Sequence, residues 1–191
     1  MERIAIVQVY INGPVPKLDA DRRNDLLVDQ SVMDFKHYAH INNYEHVFVT
    51  EPKFHDCHPQ MEIFQILDKD EYDRIITVDV DVTIQDLRHD IIEHSHPTGL
   101  SACWRPDGGD NINSGVLVWG KEARKVFRET YSRDDIAAAD TFKNRDQDLI
   151  NMFVKHYPAN RITSKFNDYT FAPDSYWWHY KGGSKLQWQR T

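Results

Sequence analysis

Along the first half of the chain, short β-branched apolar runs alternate with longer stretches of mixed polarity. Ile4–Tyr10 reads as a strand, ended by Asn12-Gly13-Pro14. Asp21 to about His40 reads as a helix with Leu26, Leu27, Val32, Met33 and Phe35 as its apolar stripe. Glu45–Thr50 reads as a second strand, closed by Pro52, and Pro59–Leu67 as a second helix with Met61, Ile63, Phe64, Ile66 and Leu67 inward. Arg74–Val82 reads as a third strand. The alternation predicts an α/β fold, a mostly parallel central sheet with helices on both faces. Ligands bind such sheets at the carboxyl ends of strands.

The second half is more mixed. Leu100–Trp104 and Val116–Trp119 read as strands, with a loop over Arg105–Asp110 between them. Lys121–Tyr131 and Arg145–Tyr157 read as helices, the latter with Leu149, Ile150, Met152, Phe153 and Val154 as its apolar face. Arg161–Ser164 reads as a short strand, followed by aromatic loops. No internal repeat or linker interrupts the chain, so 1–191 is read as one domain. It divides near residue 105, into 1–105 and 106–191.

Composition narrows the function classes. The 191 residues are 40% hydrophobic and 28% charged, values of a soluble globular domain with a full core. A net charge of −7 argues against binding to nucleic acid or an anionic membrane surface. No apolar run approaches the ~20 residues of a membrane span. Met1 leads almost directly into the first strand, with no leader or anchor pattern, so the expected location is cytoplasmic. Cys57 and Cys103 make no disulfide framework and no metal-type spacing.

The chemistry concentrates in four places. Asp-x-Asp occurs at 19/21, 68/70, 79/81 and 146/148, but only Asp79-Val80-Asp81 follows a buried strand. Alternate strand residues share a side, so both carboxylates are expected to leave the strand together. Two adjacent hard oxygen ligands suit Mg²⁺ or Mn²⁺ shared with phosphate oxygens. Asn113-Ser114-Gly115 reads as a turn entering a strand, with small residues that admit a ligand or simply turn the chain. Arg145-Asp146-Gln147-Asp148 opens a helix, where Asp146 either caps it or faces a site. His179-Tyr180-Lys181-Gly182-Gly183-Ser184-Lys185 offers a metal-ligating imidazole, close-approach glycines and a compact cation, or else a basic tail.

Taken in order, Val78-Asp79-Val80-Asp81, Asn113-Ser114-Gly115-Val116, Asp146-Gln147 and His179-x-x-Gly182-x-x-Lys185 resemble the signature series of glycogenin-like, GT-A-fold (Rossmann-like) glycosyltransferases. The resemblance covers roughly residues 4–188, and it implies a nucleotide-binding half over 1–105 and a sugar and acceptor half over 106–191. A looser one links the chain to the α-galactosyl/xylosyltransferases, and its compact size is similar to that of glycosyltransferase domains of large algal viruses. The resemblance implies a retaining transferase moving a sugar from a UDP-sugar donor to a glycan or protein-linked acceptor. It implies that Asp79, Asp81 and His179 hold Mn²⁺ or Mg²⁺, with Asp79 also near the donor ribose. Gly182 and Lys185 would contact the donor diphosphate. Gln8, Val9 and Tyr10 would cradle the base. Asn113, Ser114 and Gly115 would meet the sugar or acceptor, and Asp146 and Gln147 would lie at the reacting carbon.

Two departures accompany it. The family's lysine in the helix before the Asp-x-Asp strand is absent from Pro59–Leu67, and the final motif continues Leu186-Gln187-Trp188 rather than Pro-Trp. Some acceptor-binding parts are then expected either to be missing or to come from another domain of a larger transferase. Two rival readings stand beside it. Ile75–Thr83 also fits the nucleophile motif of haloacid-dehalogenase-like phosphatases, with Asp79 phosphorylated and Asp81 as acid/base; that family needs a later strand ending in paired acids, for which Asp134-Asp135 is the available pair. A catalytically inactive nucleotide- or sugar-binding domain is the other. Trp104, Tyr176, Trp177 and Trp178 either stack an acceptor sugar or belong to the core.

Overall fold

The computed structural model describes residues 2–10, 19–51, 59–104 and 111–180, and only the backbone of 19–24, 59 and 60. The Asn12-Gly13-Pro14 turn, Cys57, the 105–110 loop, Gly182 and Lys185 lie outside these residues. The strands are β1 (Ile4–Val9), β2 (Glu45–Val49), β3 (Arg74–Val78), β4 (Val82–Ile84), β5 (Leu100–Trp104), β6 (Ile112–Gly120), β7 (Asn160–Ile162) and β8 (Trp177–His179). The helices are α1 (Asp19–Asn42), α2 (Ile63–Ile66), α3 (Lys121–Thr130), α4 (Arg133–Ala139) and α5 (Arg145–Val154). Six strands form one sheet in the order β2-β1-β3-β6-β5-β7, while β4 and β8 form a separate antiparallel ribbon. Only β6 runs against the others in the large sheet.

The central strands are apolar on both sides because both sides are covered. Ala5, Val7, Ile75, Leu117 and Trp119 face a core closed by α2 to α5, with Phe64, Phe127 and Phe153 at its centre. Ile4, Ile6, Ile76, Val78, Val116 and Val118 face a second core with Phe35 and Tyr38 of α1, Phe166 and Trp177. The polar Thr77 is accommodated in the first by a hydrogen bond from the Trp119 indole, 3.3 Å. Trp177 is fully buried and meets Phe35, Tyr38 and Phe166 edge-on. Its place is the core and not a sugar platform.

Several expected details shift. The buried stripe of α1 is Leu27, Val28, Ser31, Phe35, Tyr38 and Ala39, whereas Leu26 and Met33 are 54% and 67% exposed. Residues 27, 31, 35 and 38 recur at helical spacing, and 26 and 33 fall off that face. The helix ends in a Schellman motif: Asn43 adopts φ 57°, and the Asn43 and Tyr44 N–H groups donate to the His40 and Ala39 carbonyls. The segment expected as one helix over Pro59–Leu67 is a 3₁₀ turn followed by the single α-turn of α2. Its final carbonyls are held by the buried Arg124 of α3, which donates to Leu67 and Lys69 at 3.4 and 2.7 Å.

Most relevant to function, the run expected as one strand over Arg74–Val82 is broken. β3 stops at Val78, and a turn closed by Val82 N–H to the Asp79 carbonyl (3.2 Å) redirects the chain into β4. Two carboxylates cannot continue into a dry sheet without partners. The chain leaves the sheet where they begin.

Candidate functional site

The turn Asp79-Val80-Asp81 is anchored on both sides. Asp79 N–H donates to the Gly115 carbonyl of β6 at 2.9 Å, and the Asp81 carbonyl accepts from Tyr180 N–H at 2.9 Å. The pairing of β4 with β8 sets Val82 opposite His179. This brings an imidazole from the far end of the chain onto the acidic turn. His179 Nε2 lies 3.2 Å from Asp81 Oδ1 and 3.6 Å from Asp79 Oδ2. One donor atom from each of the three residues falls within 4.8 Å of the others, and no other such His/Cys/Asp/Glu cluster occurs among the described residues. The carboxylates converge through the turn and not, as expected, through the pleat of a continuous strand.

The ring is held from two further directions. Asn167 Oδ1 lies 2.7 Å from His179 Nδ1, both side chains being buried. Because this oxygen can only accept, Nδ1 donates to it, and Nε2 is the ring nitrogen turned toward the carboxylates. The same three donors suit a divalent cation, two hard oxygens and one imidazole nitrogen being a set typical of Mn²⁺. Beneath the ring lies Gly115: a Cβ there would stand 2.4 Å from His179 Cε1.

Neither Asn167 nor its neighbour Asp168 figures among the site residues expected from the sequence. Asp168 is 3% exposed and accepts four hydrogen bonds, from Thr170 N–H and Oγ1, Ala172 N–H and Ser175 Oγ, at 2.6–2.8 Å. Burial pushes its carboxyl up, but these donors outweigh burial and hold it below the usual carboxylate range. Its carbonyl accepts from His179 N–H at 2.8 Å. The looped segment 168–175 thus braces β8. The visible signal was a pair of short polar residues inside the aromatic stretch Phe166-Asn167-Asp168-Tyr169.

Asn113, Ser114 and Gly115 lie within β6 instead of forming a turn before it. The Asn113 side chain folds back to accept from Gly115 N–H at 2.8 Å, leaving its buried Nδ2 without a partner among the described residues. Ser114 hydrogen-bonds the Asp146 carboxylate at the start of α5, which the Gln147 N–H also reaches. Burial nevertheless dominates there and pushes the Asp146 carboxyl up. Arg145 just before it has φ 38°, a left-handed backbone at a non-glycine residue. Ser114 and Gly115 therefore connect Asp146 to His179 through two adjacent positions of one strand.

At the nucleotide end the outcome is mixed. The Gln8 side chain is fully buried and its amide is committed, donating to Ser31 Oγ (2.9 Å) and accepting from His46 Nε2 (3.0 Å). It helps fix α1 and β2 on β1. Val9 packs against the core, and the Tyr10 hydroxyl donates to Asp25 at 2.7 Å. Asp134 and Asp135 stand at the start of α4, where Asp135 forms a capping box with Ser132. The strand-end acid pair of the phosphatase motif is thus not formed by these residues.

No protein-family model and no curated protein sequence matches this chain. Solved structures do. A glycosyltransferase involved in the glycosylation of the major capsid of PBCV-1 superimposes with a TM-score of 0.66 at 15% identity, covering 97% of this chain and 96% of that one. The glycosyltransferase GlyE of Streptococcus pneumoniae TIGR4 superimposes in its apo form with a TM-score of 0.61 at 13% identity, and in a second structure with 0.58 at 12%. This chain spans 60% and 59% of the two GlyE chains. At these identities the likeness speaks to fold: the chain has the α/β GT-A fold found in glycosyltransferases.

Proposed function

We propose that this protein is a metal-dependent, retaining glycosyltransferase that moves a sugar from a UDP-sugar to a glycan or protein-linked acceptor. One observation carries the reading. Asp79, Asp81 and His179, drawn from both halves of the chain, converge within 4.8 Å on a GT-A scaffold. Such convergence requires a broken strand, a glycine under the ring and a buried amide behind it.

Asp79 and Asp81 oxygens and His179 Nε2 would hold Mn²⁺ or Mg²⁺, and the bound ion would supply the Lewis-acid charge that offsets a diphosphate leaving group. The remaining steps belong to the chain itself. As the resemblance implies, Gly182 and Lys185 would supply a backbone N–H and a cation to the diphosphate, donors of a kind worth about 3 kcal/mol each when well placed. Val9 and Tyr10 border the base at the end of β1. Asn113 and Ser114 line the approach to the sugar, Ser114 orienting the Asp146 carboxylate. As the anomeric carbon loses its phosphate oxygen and gains an acceptor oxygen, positive charge develops at the ring. Asp146, with Gln147 beside it, stabilises that charge from a half-buried position. The acceptor proton leaves with the departing diphosphate.

Calorimetric titration of UDP with and without Mn²⁺ tests the reading, using the unaltered chain and the Asp79→Ala/Asp81→Ala variant. Binding that requires Mn²⁺ and disappears in the variant supports it. Absence of nucleotide binding in both conditions, or hydrolysis of a generic aryl phosphate, overturns it.

A further inference from the structure

A cleft opens along the edge of the sheet that carries the acidic turn. β3 and β5 both run antiparallel to β6, so their C-terminal ends share one edge. Asp79 leaves β3 there, and Trp104 ends β5 opposite Ile112 at the start of β6. Beside Trp104 lies a cavity of about 310 Å³, lined by Asn111, Asn151, Lys155, Val154 and Pro158 among others. That volume is at the small end of ligand-binding pockets.

Its walls are fixed in different ways. The Trp104 indole is half-buried and braced by Arg161, whose guanidinium carbon lies 5.6 Å from the ring centroid and which does not line the cavity. Asn151 acts as a surrogate strand partner: Oδ1 accepts from Ile112 N–H at 3.0 Å, and Nδ2 donates to the Ile112 and Gln147 carbonyls at 3.4 and 2.7 Å. Asn111 and Lys155 are exposed, and neither side chain bonds another described residue. A rigid indole beside an amide and an ammonium group matches one ligand chemistry. A pyranose presents a flat C–H face to an aromatic ring and a rim of hydroxyls to polar side chains. The pocket is too small for a helix, and it lacks the cationic track that a nucleic acid needs.

Its position relative to the proposed chemistry is set by α5. At 1.5 Å per residue, Asn151 and Lys155 lie roughly 8 and 14 Å along the axis from Asp146. The cleft therefore lies along the part of α5 that leads away from Asp146.

We propose that this cleft is a saccharide subsite, holding the part of an oligosaccharide acceptor that lies away from the hydroxyl being glycosylated. The proposal rests on the transferase reading and narrows it. The acceptor already carries sugar, so an earlier glycosyl transfer must supply it, and this protein extends a glycan.

Saturation-transfer NMR with maltose, lactose, xylobiose and chitobiose tests the cleft directly. At least one disaccharide is expected to receive saturation from the unaltered chain. Trp104→Ala is expected to reduce that signal at least fivefold, and Trp104→Phe to retain most of it. Asn111→Ala and Lys155→Ala, on exposed side chains that leave the fold intact, are expected to weaken it as well. No transfer to any of the four sugars overturns the proposal, as does equal transfer to the unaltered chain and all three alanine variants. Manganese-dependent UDP binding by the unaltered chain reads the donor site separately. Saccharide binding without UDP binding removes the transferase reading and leaves the sugar site, while UDP binding without saccharide binding does the reverse.

Discussion

The imidazole of His179 rests directly on Gly115, close enough that a Cβ on residue 115 would lie 2.4 Å from Cε1 and 2.7 Å from Nδ1. The glycine is therefore a matter of space, since nothing in its backbone demands it. Gly115→Ala must push the ring aside and move Nε2 off the two carboxylates. We expect a loss of at least tenfold in Mn²⁺ affinity by calorimetry with the fold retained, because the obstructed atoms belong to a side chain. Unchanged affinity would remove His179 from the ligand set.

Asn167 acts on the same ring from behind. Asn167→Leu leaves Nδ1 without its acceptor and frees the ring to change tautomer. Loss of such an outer partner costs about 10- to 100-fold in metal affinity. Titration with Mn²⁺ measures this without any turnover, and an Asn167→Asp variant, which keeps an acceptor oxygen, should recover most of the affinity.

Asp168 holds its loop through an ionised carboxylate. Its acidity is strengthened in the folded state, so its contribution is present above the ordinary carboxylate range and is lost as pH falls through its folded value. Asp168→Asn should destabilise the protein by about 3 kcal/mol at pH 7, given the strength of hydrogen bonds to a buried charge. In thermal melts the gap to the unaltered chain should close on acidification. A gap independent of pH would mean that packing, not charge, braces β8.

Asp146 has the opposite sign. Burial raises its carboxyl, so keeping it ionised costs stability, and that cost grows as pH rises through its folded value. Asp146→Asn should raise Tm at pH 7 by roughly 3 °C, the equivalent of about 1 kcal/mol in a domain of this size. The gain should vanish at acid pH, and sugar transfer should fall sharply in the same variant. Transfer at the original rate would take Asp146 out of the mechanism.

Gly120 provides a contrasting glycine. A Cβ there would meet the backbone of Thr98 at 2.2–2.5 Å. Backbone cannot swing away as a side chain does, so Gly120→Ala is expected to cost about 3 kcal/mol or more by denaturant unfolding. Metal affinity in the surviving folded fraction should be unaffected.

Much of the framework was legible in the amino-acid order. Ile4–Tyr10 and Arg74–Val82 read as strands because a strand covered on both faces is mostly apolar, though the second of them ends at Val78. Asp79-Val80-Asp81 stood out as acids placed where such a strand has to stop. The 79/81 pair, Asp146 and His179 were all named from local pattern, and the structure brings Asp79, Asp81 and His179 into one cluster. Leu26 and Met33 were misassigned because two apolar residues off the stripe look like two on it until a sheet is present to choose the face.

What the sequence determined by itself was the set of elements and the residue types able to hold a cation, since both follow from local periodicity and from the chemistry of single side chains. The resemblance grouped Asp79, Asp81 and His179, but how they come to meet was decided by tertiary structure. The reversed direction of β6, the β4–β8 ribbon and the bracing by Asn167 and Asp168 join positions up to a hundred residues apart. Such pairings depend on the balance of whole-sheet packing against chain entropy, which no local window of sequence contains.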